Sequence, residues 1–382
     1  MSPDRSASPA VVAREWTRLG LIGFGGPPAH IALLRQLVVD RRRWIDARAF
    51  EDANAACGML PGPASTQMAI FCAYRVAGPA GAIIGGLGFI VPAVVMILAL
   101  SALVLGHAPP LWVRGAGAGA GAAVPAVAAH AARGLLGPSL ERARERAALV
   151  PWAAFVLAGA VAAVLVGAEL VLVLLACGAL EVLRRRRSAS LPLLAPAGVS
   201  GGVAAGGYGA LAWTALKVGA LSFGGGFVII PLMQGDAVHV NHWMTNAQFL
   251  NAVALGQITP GPVVATIAAV GYAAHGLVGG IMAAAIAFVP SFAFVLLAGR
   301  RFDRLRELPG PRAFLDGAGP AAIGAIGGAA FTLAAVLTEA WQFVVLGAAL
   351  LALLVLRQGV VTTLVAAALV GVALALLGAP VP

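Results

Sequence analysis

The sequence predicts an all-α polytopic membrane protein of two inverted-topology repeats, each with about five transmembrane helices plus a re-entrant broken helix. Three observations predict this fold class: apolar segments of membrane-spanning length, an internal duplication, and a reversal of loop charge between the two copies. Of the 382 residues, 60% are hydrophobic and 10% are charged, and a water-soluble fold cannot bury that much apolar surface.

The apolar segments set the number of helices. A bilayer core of about 30 Å needs about 20 apolar residues for each helix. Eight segments approach or exceed this length: 81–105, 115–136, 150–167, 168–183, 277–299, 316–337, 341–356 and 360–378. The N-terminus, Met1 to Ala10, is polar and does not resemble a removable signal peptide. The sequence therefore predicts a multi-pass protein.

The formal net charge of +10 comes from basic residues that cluster in short loops between the apolar segments. This distribution is typical of the cytoplasmic loops of membrane proteins, and it argues against a nucleic-acid partner. Lys217 is the only lysine among the 25 basic residues, so its position in the chain is of particular interest.

The chain contains an internal duplication. Shifting the sequence by 199 residues aligns positions 19–90 with the second half without a gap. The shared positions pair Arg18 with Lys217, Phe24-Gly25-Gly26 with Phe223-Gly224-Gly225, Trp44 with Trp243, and Pro61-Gly62-Pro63 with Pro260-Gly261-Pro262. We therefore expect a first membrane repeat at 1–183, a basic then Ser/Pro/Gly-rich linker at 184–201, and a second repeat at 202–382.

Equivalent loops of the two copies carry opposite charge bias. Residues 41–48 contain four arginines, whereas the equivalent 240–247 contain no Lys or Arg. Residues 105–114 hold only Arg114, whereas the equivalent 300–313 hold five arginines. Because loops rich in Lys and Arg stay in the cytoplasm, the second copy is predicted to be inverted, a plan common in secondary transporters.

The path between the loops predicts a re-entrant segment. If 41–48 is inside and 105–114 is outside, an odd number of crossings separates them, yet two apolar segments, 50–73 and 81–105, lie there. The first contains Pro-Gly-Pro, which interrupts a helix, so we expect it to enter and leave on one side. This scheme puts the N-terminus outside, although it carries Arg5 and Arg14, which favour the cytoplasm. If the N-terminus is instead cytoplasmic, the first apolar segment is a hairpin in at least one half.

Two kinds of helix break are candidates for an anion-binding site. A helix that starts at a break directs free backbone N–H groups and a positive dipole end towards it, which favours anions. The candidate backbone residues are Gly25, Gly26, Pro61, Gly62, Pro63, Gly224, Gly225, Gly226, Pro260, Gly261 and Pro262. The alternative is that these breaks are kinks packed against neighbouring helices.

Arg18 and Lys217 lie at equivalent positions, six residues before the two Phe-Gly-Gly breaks. A base within a membrane segment suggests a site with a counter-ion, so both are candidate anion ligands. The alternative is that both side chains reach to the membrane interface.

Polar side chains beside the Pro-Gly-Pro breaks are further candidate donors: Ser65, Thr66, Gln67, Gln257 and Thr259. His30 follows the first break, but its equivalent is Ile229, so it is either a packing residue or a group for proton coupling. The sequence contains no metal-ligand cluster, no phosphate-binding loop with Gly-Lys-Ser/Thr and no nucleophile–base pair. We therefore expect neither an enzyme nor a cofactor.

These motifs together resemble the chromate ion transporter (CHR) family in its two-domain, long-chain form. The resemblance rests on Phe-Gly-Gly-Pro-x-x-His from Phe24, Leu-Pro-Gly-Pro-Ala-Ser-x-Gln from Leu60, Phe-Gly-Gly-Gly from Phe223 and Gly-Gln-Ile-Thr-Pro-Gly-Pro from Gly256. It covers nearly the whole chain. One position departs: the family usually has Gln three residues before the first Pro-Gly-Pro, where this chain has Gly58, while the equivalent Gln257 is present.

The resemblance implies a carrier in the bacterial inner membrane that exports chromate from the cytoplasm and so confers chromate resistance. Its partners would be a small oxyanion and membrane lipid. Two alternatives stay open: a carrier for another oxyanion such as sulfate, which shares the charge and shape of chromate, and an anion channel. The oligomeric state also stays open, with a homodimer as one possibility.

Overall fold

The computed structural model describes residues 7–58, 62–106, 109–165, 169–186, 207–222, 227–298 and 309–381. All regular elements in these ranges are helical. The first half contains α1 (Pro9–Ile22), α2 (Gly26–Arg35), α3 (Ala47–Cys57), α4 (Ala64–Val104), α5 (Leu111–Glu145), α6 (Leu149–Leu165) and α7 (Leu170–Arg186). The second half contains α8 (Tyr208–Leu221), α9 (Ile229–Gln234), α10 (Asn246–Ile258), α11 (Ile267–Ala298), α12 (Pro309–Ala335), α13 (Ala340–Leu350) and α14 (Val360–Leu376).

Unusual backbone features recur in the two halves at the spacing of the sequence duplication. Helices α2 and α9 each continue into a π-helical turn, Gln36–Arg41 and Gly235–Val240. Each turn is followed by a non-glycine residue with positive φ, 53° at Arg43 and 52° at His242. Positive φ is uncommon outside glycine, so its recurrence at equivalent positions extends the repeat from sequence to backbone geometry.

In each half the first apolar segment forms a hairpin, not a single crossing. In the first half, Arg42, just after the π-helical turn, lies 2.5 Å from Glu15 near the start of α1. In the second half Lys217 lies 2.6 Å from Asp236. The prediction of a crossing here was wrong, and the alternative of a hairpin holds. In the first half the break at Gly25 and Gly26 turns the chain back on itself, and in the second half the described helices α8 and α9 contact each other. Composition does not distinguish a kinked crossing from a hairpin.

The Pro-Gly-Pro segment of the first half forms a second hairpin. Helix α4 is interrupted at Gly78, where φ is 67° and ψ is −161°. Before this interruption α4 runs back beside α1, since Trp16 Nε1 donates to the carbonyl of Ala69 and the Ala7 N–H donates to that of Val76. The chain thus returns to the end of the molecule where α1 begins, as a re-entrant segment does.

Helix α11 is interrupted in the same way at Gly276, where φ is 63° and ψ is −154°. Beyond these interruptions, α4 and α11 pack against each other in antiparallel fashion. Gly86 lies against Phe292, and Gly280 lies against Leu98. Other contacts also join the two halves reciprocally, because α5 packs on α14 while α12 packs on α6 and α7. Small residues permit this close approach; Gly115, for example, lies against the backbone of Gly371. The two halves are therefore interleaved.

Among the described residues, three helices are long and apolar enough to cross a membrane: Ala64–Val104, Val263–Leu297 and Arg312–Ala335. Shorter apolar helices span Leu149–Leu165, Ala340–Val355 and Val360–Leu376. Large apolar side chains such as Val150 and Leu297 are more than four-fifths exposed, which suits a hydrocarbon surrounding. These features confirm the predicted all-α membrane fold.

Candidate anion-binding site

Each Pro-Gly-Pro turn lies against the first helix of the opposite half. The Gly261 N–H donates a 2.9 Å hydrogen bond to the Gly23 carbonyl at the end of α1. A Cβ built on Gly62 would lie 3.3 Å from the Gly219 carbonyl of α8. Both turn glycines have positive φ, 114° at Gly62 and 104° at Gly261, which favours glycine at the two positions. The two halves therefore cross where the Pro-Gly-Pro turns meet the first helices.

A cavity of about 540 Å³ lies beside this crossing and takes its walls from both halves. The lining residues that carry polar groups or belong to a break are Gly25, Gly26, Asn54, Ser65, His130 and Gln257. Within the described part of the chain, the lining contains no Lys, Arg, Asp or Glu side chain. Anion binding in this cavity would therefore depend on neutral donors, helix termini and histidine.

The N-terminus of α4 supplies backbone donors to the cavity. Pro63 is the N-cap, and the first bond of the helix runs from the Gln67 N–H to the Pro63 carbonyl. The N–H groups of Ala64, Ser65 and Thr66 consequently have no acceptor within the helix. Ala64 and Ser65 line the cavity, so this positive helix end faces it. The Thr66 hydroxyl is buried and has no partner in the described part of the chain.

The start of α2 offers fewer donors than the sequence suggested. The helix begins at Gly26 and continues with Pro27 and Pro28, all of which line the cavity. Proline has no backbone N–H, so two of the groups expected at this terminus do not exist. The main contribution of this break is its shape: Gly25 and Gly26 have φ of 99° and 73° and turn the chain sharply.

The amide of Gln257 lies in the cavity wall, and its Nε2 is buried without a partner in the described ranges. A buried amide donor without a partner is costly, so this group is the strongest side-chain candidate for an anion ligand. Thr259 and Thr266 differ, because their hydroxyls donate to the carbonyls of Leu255 and Val263. Gln67 is buried, and its Nε2 would lie 2.7 Å from a Cβ on Gly62.

His30 is only 1% exposed and connects the two breaks of the first half. Its Nε2 lies 2.9 Å from the Gly23 carbonyl, and its Nδ1 lies 3.3 Å from the Ser65 hydroxyl. The edge of its ring packs against Phe89 at a centroid distance of 5.1 Å. The Gly23 carbonyl also accepts from the Gly261 N–H of the other half. His30 is therefore bonded on one side to the place where the two halves cross and on the other side to Ser65 in the cavity wall.

The two aligned bases lie away from the cavity lining. Arg18 is exposed on α1, and the Lys217 ammonium pairs with Asp236. Asp236 was not among the residues that the sequence suggested, although a single acid in an apolar stretch beside the only lysine was a usable signal. Pro61, Gly224, Gly225 and Gly226 lie outside the described residues, so their predicted role has no structural counterpart here.

Comparison with known proteins places the chain in one family. The model of the family described as chromate transporter matches residues 10–182 and 209–372. The chain is 33% identical to a chromate transport protein of Cupriavidus metallidurans over 83% of its own length and 80% of that protein. It is also 33% identical to a chromate transport protein of Pseudomonas aeruginosa, over 88% and 83%. A probable chromate transport protein of Synechococcus elongatus is 28% identical, over 84% of each chain.

No solved structure matches the chain. The family comprises transporters rather than enzymes, and the helices described above make this chain a multi-pass membrane protein. Both findings agree with the resemblance that its motifs carry. The chain belongs to the chromate transporter family.

Proposed function

We propose that this protein carries chromate out of the cytoplasm across a bacterial inner membrane, and that this export confers chromate resistance. The observation that carries the proposal is the cavity at the crossing of the two halves. The N-terminus of α4 faces it, and Gln257, whose amide nitrogen has no partner in the described ranges, belongs to its lining. Backbone N–H groups at a helix start and a side-chain amide suit the oxygens of a tetrahedral dianion.

Electrostatics supports the outward direction of transport. In a cell with a negative interior, moving an anion outward releases about 2.3 kcal/mol per charge per 100 mV. Export of a dianion therefore needs no further energy source, whereas uptake would require coupled cations.

Inverted repeats would supply the alternating access that a carrier needs, and three observations support this architecture here. The second parts of α4 and α11 run antiparallel, equivalent loops differ in charge, and the Pro-Gly-Pro turns contact opposite halves reciprocally. We propose the repeat boundaries predicted from the sequence, 1–183 and 202–382, joined by 184–201. In this arrangement the cavity would open to one side at a time.

The proposed ligands are the backbone of Gly25 and Gly26, together with Ser65, Thr66 and Gln257. Gly62 and Gly261 would shape the two turns, because the Gly261 N–H is already bonded to the Gly23 carbonyl. Gln67 would hold the Gly62 turn in position, and Thr259 would stabilise the end of α10. Lys217 and Arg18 would stabilise the hairpin and the membrane interface, because one is paired and the other is exposed.

Uptake of radiolabelled chromate into inverted membrane vesicles, with the membrane potential and the pH gradient set separately, tests the proposal. We expect saturable uptake driven by a positive interior, which corresponds to export from the cell. No uptake above vesicles that lack the protein would contradict it. Inhibition of chromate uptake by sulfate would indicate an oxyanion carrier of broader specificity than a chromate carrier. Chromate flux that does not saturate and shows no counterflow would indicate a channel.

A further inference from the structure

The hydrogen bonds around His30 determine which of its ring nitrogens carries a proton. The Gly23 carbonyl can only accept, so His30 Nε2, 2.9 Å away, must be the N–H. In the neutral ring, Nδ1 is then a lone pair, and the group beside it, 3.3 Å away, is the Ser65 hydroxyl. Ser65 therefore donates its single proton to Nδ1 when His30 is neutral.

This arrangement affects the cavity because Ser65 belongs to its lining. With its proton given to His30, the Ser65 hydroxyl presents only lone pairs, which repel the oxygens of an anion. A proton added to Nδ1 reverses the bond, since the imidazolium N–H then donates to Ser65 Oγ. The Ser65 proton is released from that bond and can turn into the cavity.

We propose that His30 and Ser65 form a proton-binding site coupled to the anion, so that the dianion and one proton bind to the cavity together. The proton from solution goes to His30 Nδ1, and the hydroxyl of Ser65 becomes a donor to the anion. This proposal rests on the function proposed above, because it concerns the same cavity. By linkage, the proton strengthens anion binding by the same factor as the anion strengthens proton binding.

Because His30 is buried, an imidazolium there would need a counter-ion. The groups that hydrogen-bond to it are the neutral Gly23 carbonyl and Ser65 hydroxyl. Ionisable side chains on the elements packed against it are Arg14, Glu15 and Arg18 on α1, Arg35, Asp40 and Arg41 on α2 and its π-helical turn, Arg48, Glu51, Asp52 and Cys57 on α3, and Cys72, Tyr74 and Arg75 on α4. Glu15 pairs with Arg42 and Arg14, and Arg35 pairs with Glu51 and Asp40. The anion itself would be the counter-ion of an imidazolium at His30.

The coupling site belongs to one half only. The position equivalent to His30 is Ile229, and that equivalent to Ser65 is Val264, so the second half has neither group. We therefore expect one linked proton for each anion. His130 is a second histidine in the cavity wall, so it is the residue from which His30 must be distinguished.

Equilibrium binding of radiolabelled chromate to the purified full-length protein, measured from about pH 5 to pH 8, tests the coupling. One linked proton makes the apparent Kd rise by up to about tenfold per pH unit as His30 loses its proton. His30→Gln, whose amide reproduces both hydrogen bonds of the neutral ring, should lack this rise. Ser65→Ala should lack most of it, while His130→Gln and the distant control His275→Gln should retain it. Titration of chromate itself is common to all variants and cancels in the comparison.

Retention of the wild-type pH dependence in both His30→Gln and Ser65→Ala would overturn the coupling, as would its loss in His130→Gln alone. If His30→Gln does not fold, Ser65→Ala decides the question by the same criterion. Absence of chromate binding to the wild-type protein at every pH would instead overturn the proposed substrate, and the coupling with it. If the wild-type protein binds chromate but the His30 and Ser65 variants keep its pH dependence, only the coupling is overturned.

Discussion

The Lys217 ammonium lies 2.6 Å from the Asp236 carboxylate, and the Thr214 hydroxyl donates to the same oxygen. Both charged side chains are largely buried, with 12% and 7% of their surfaces exposed. The pair joins α8 to the π-helical turn that follows α9. In the first half Glu15 and Arg42 hold the equivalent hairpin, with the two charges exchanged between its arms.

Replacing Lys217 by Ala should destabilise the protein, because it leaves the Asp236 carboxylate buried without its partner. Breaking a buried pair in this way costs about 3–5 kcal/mol. We expect a lower midpoint of thermal unfolding in detergent, and substantial recovery in the double variant Lys217→Met with Asp236→Leu. Chromate affinity of the folded single variant should stay within about twofold of the wild type. Wild-type thermal stability with lost chromate binding would instead identify Lys217 as an anion ligand.

Gly58 is the position at which this chain departs from the family pattern, and its equivalent in the second half is Gln257. A Cβ on Gly58 would meet its nearest neighbours, two carbonyl oxygens of α3, at 3.5 Å, and its φ of −66° suits any residue. Gly58→Gln should therefore fold normally. If its amide reaches the cavity as Gln257 does, chromate should bind about three- to tenfold more tightly. Unchanged affinity in a stably folded variant would show that the first half does not use this position.

Gly261 should tolerate no larger residue. Its φ of 104° is unfavourable for other residues, and a Cβ would come within 2.7 Å of the Ala93 side chain. We expect Gly261→Ala to cost about 2–3 kcal/mol and to lower transport by moving the crossing of the two halves. The matched control is Gly327→Ala in α12, where an added Cβ meets nothing within 4 Å. If the two variants have equal stability and equal transport, the contact of the Gly261 turn with the other half is not required for either.

The two hairpins define the sidedness of the protein. Arg146 and Arg185 meet at Asp316, and Arg42 and Arg75 lie near the start of α1. We assign both places to the cytoplasmic end of the helices. Tyr208 stacks on His275 at the opposite end, where α4 approaches its C-terminus. Reporters fused at the N-terminus and after Arg186 should therefore be cytoplasmic, and reporters after Gly106 or before Tyr208 should be outside. A cytoplasmic reporter at Tyr208 would contradict the inversion.

Sequence patterns predicted the features that depend on residue type and spacing. The duplication, the helical breaks and the membrane class follow from rare tripeptides at one register and from apolar segments too long for a soluble protein. The same patterns predicted Gln257 and Ser65 as candidate donors, and the structure places both in the wall of one cavity. The family resemblance is confirmed by the comparisons.

What the sequence missed depends on tertiary contacts. An apolar segment with a central break can cross the membrane or fold back. In the second half the contacts of Lys217 and Thr214 with Asp236 identify the hairpin. Asp236 aligns with Leu37, so the duplication gave no reason to single it out. The hydroxyl of Thr259 was a candidate donor, but it donates to the Leu255 carbonyl of its own helix.

Counterflow of radiolabelled chromate in liposomes that contain only the purified protein tests the central claim most directly, with Gln257→Ala as the paired variant. We expect saturable exchange that accelerates when unlabelled chromate is present on the other side. Loss of the Gln257 amide should raise the chromate concentration at half-saturation about tenfold, which corresponds to about 1.4 kcal/mol of binding free energy. A wild-type protein that exchanges no chromate, or equal half-saturation in a well-folded Gln257→Ala variant, would contradict a chromate site in this cavity.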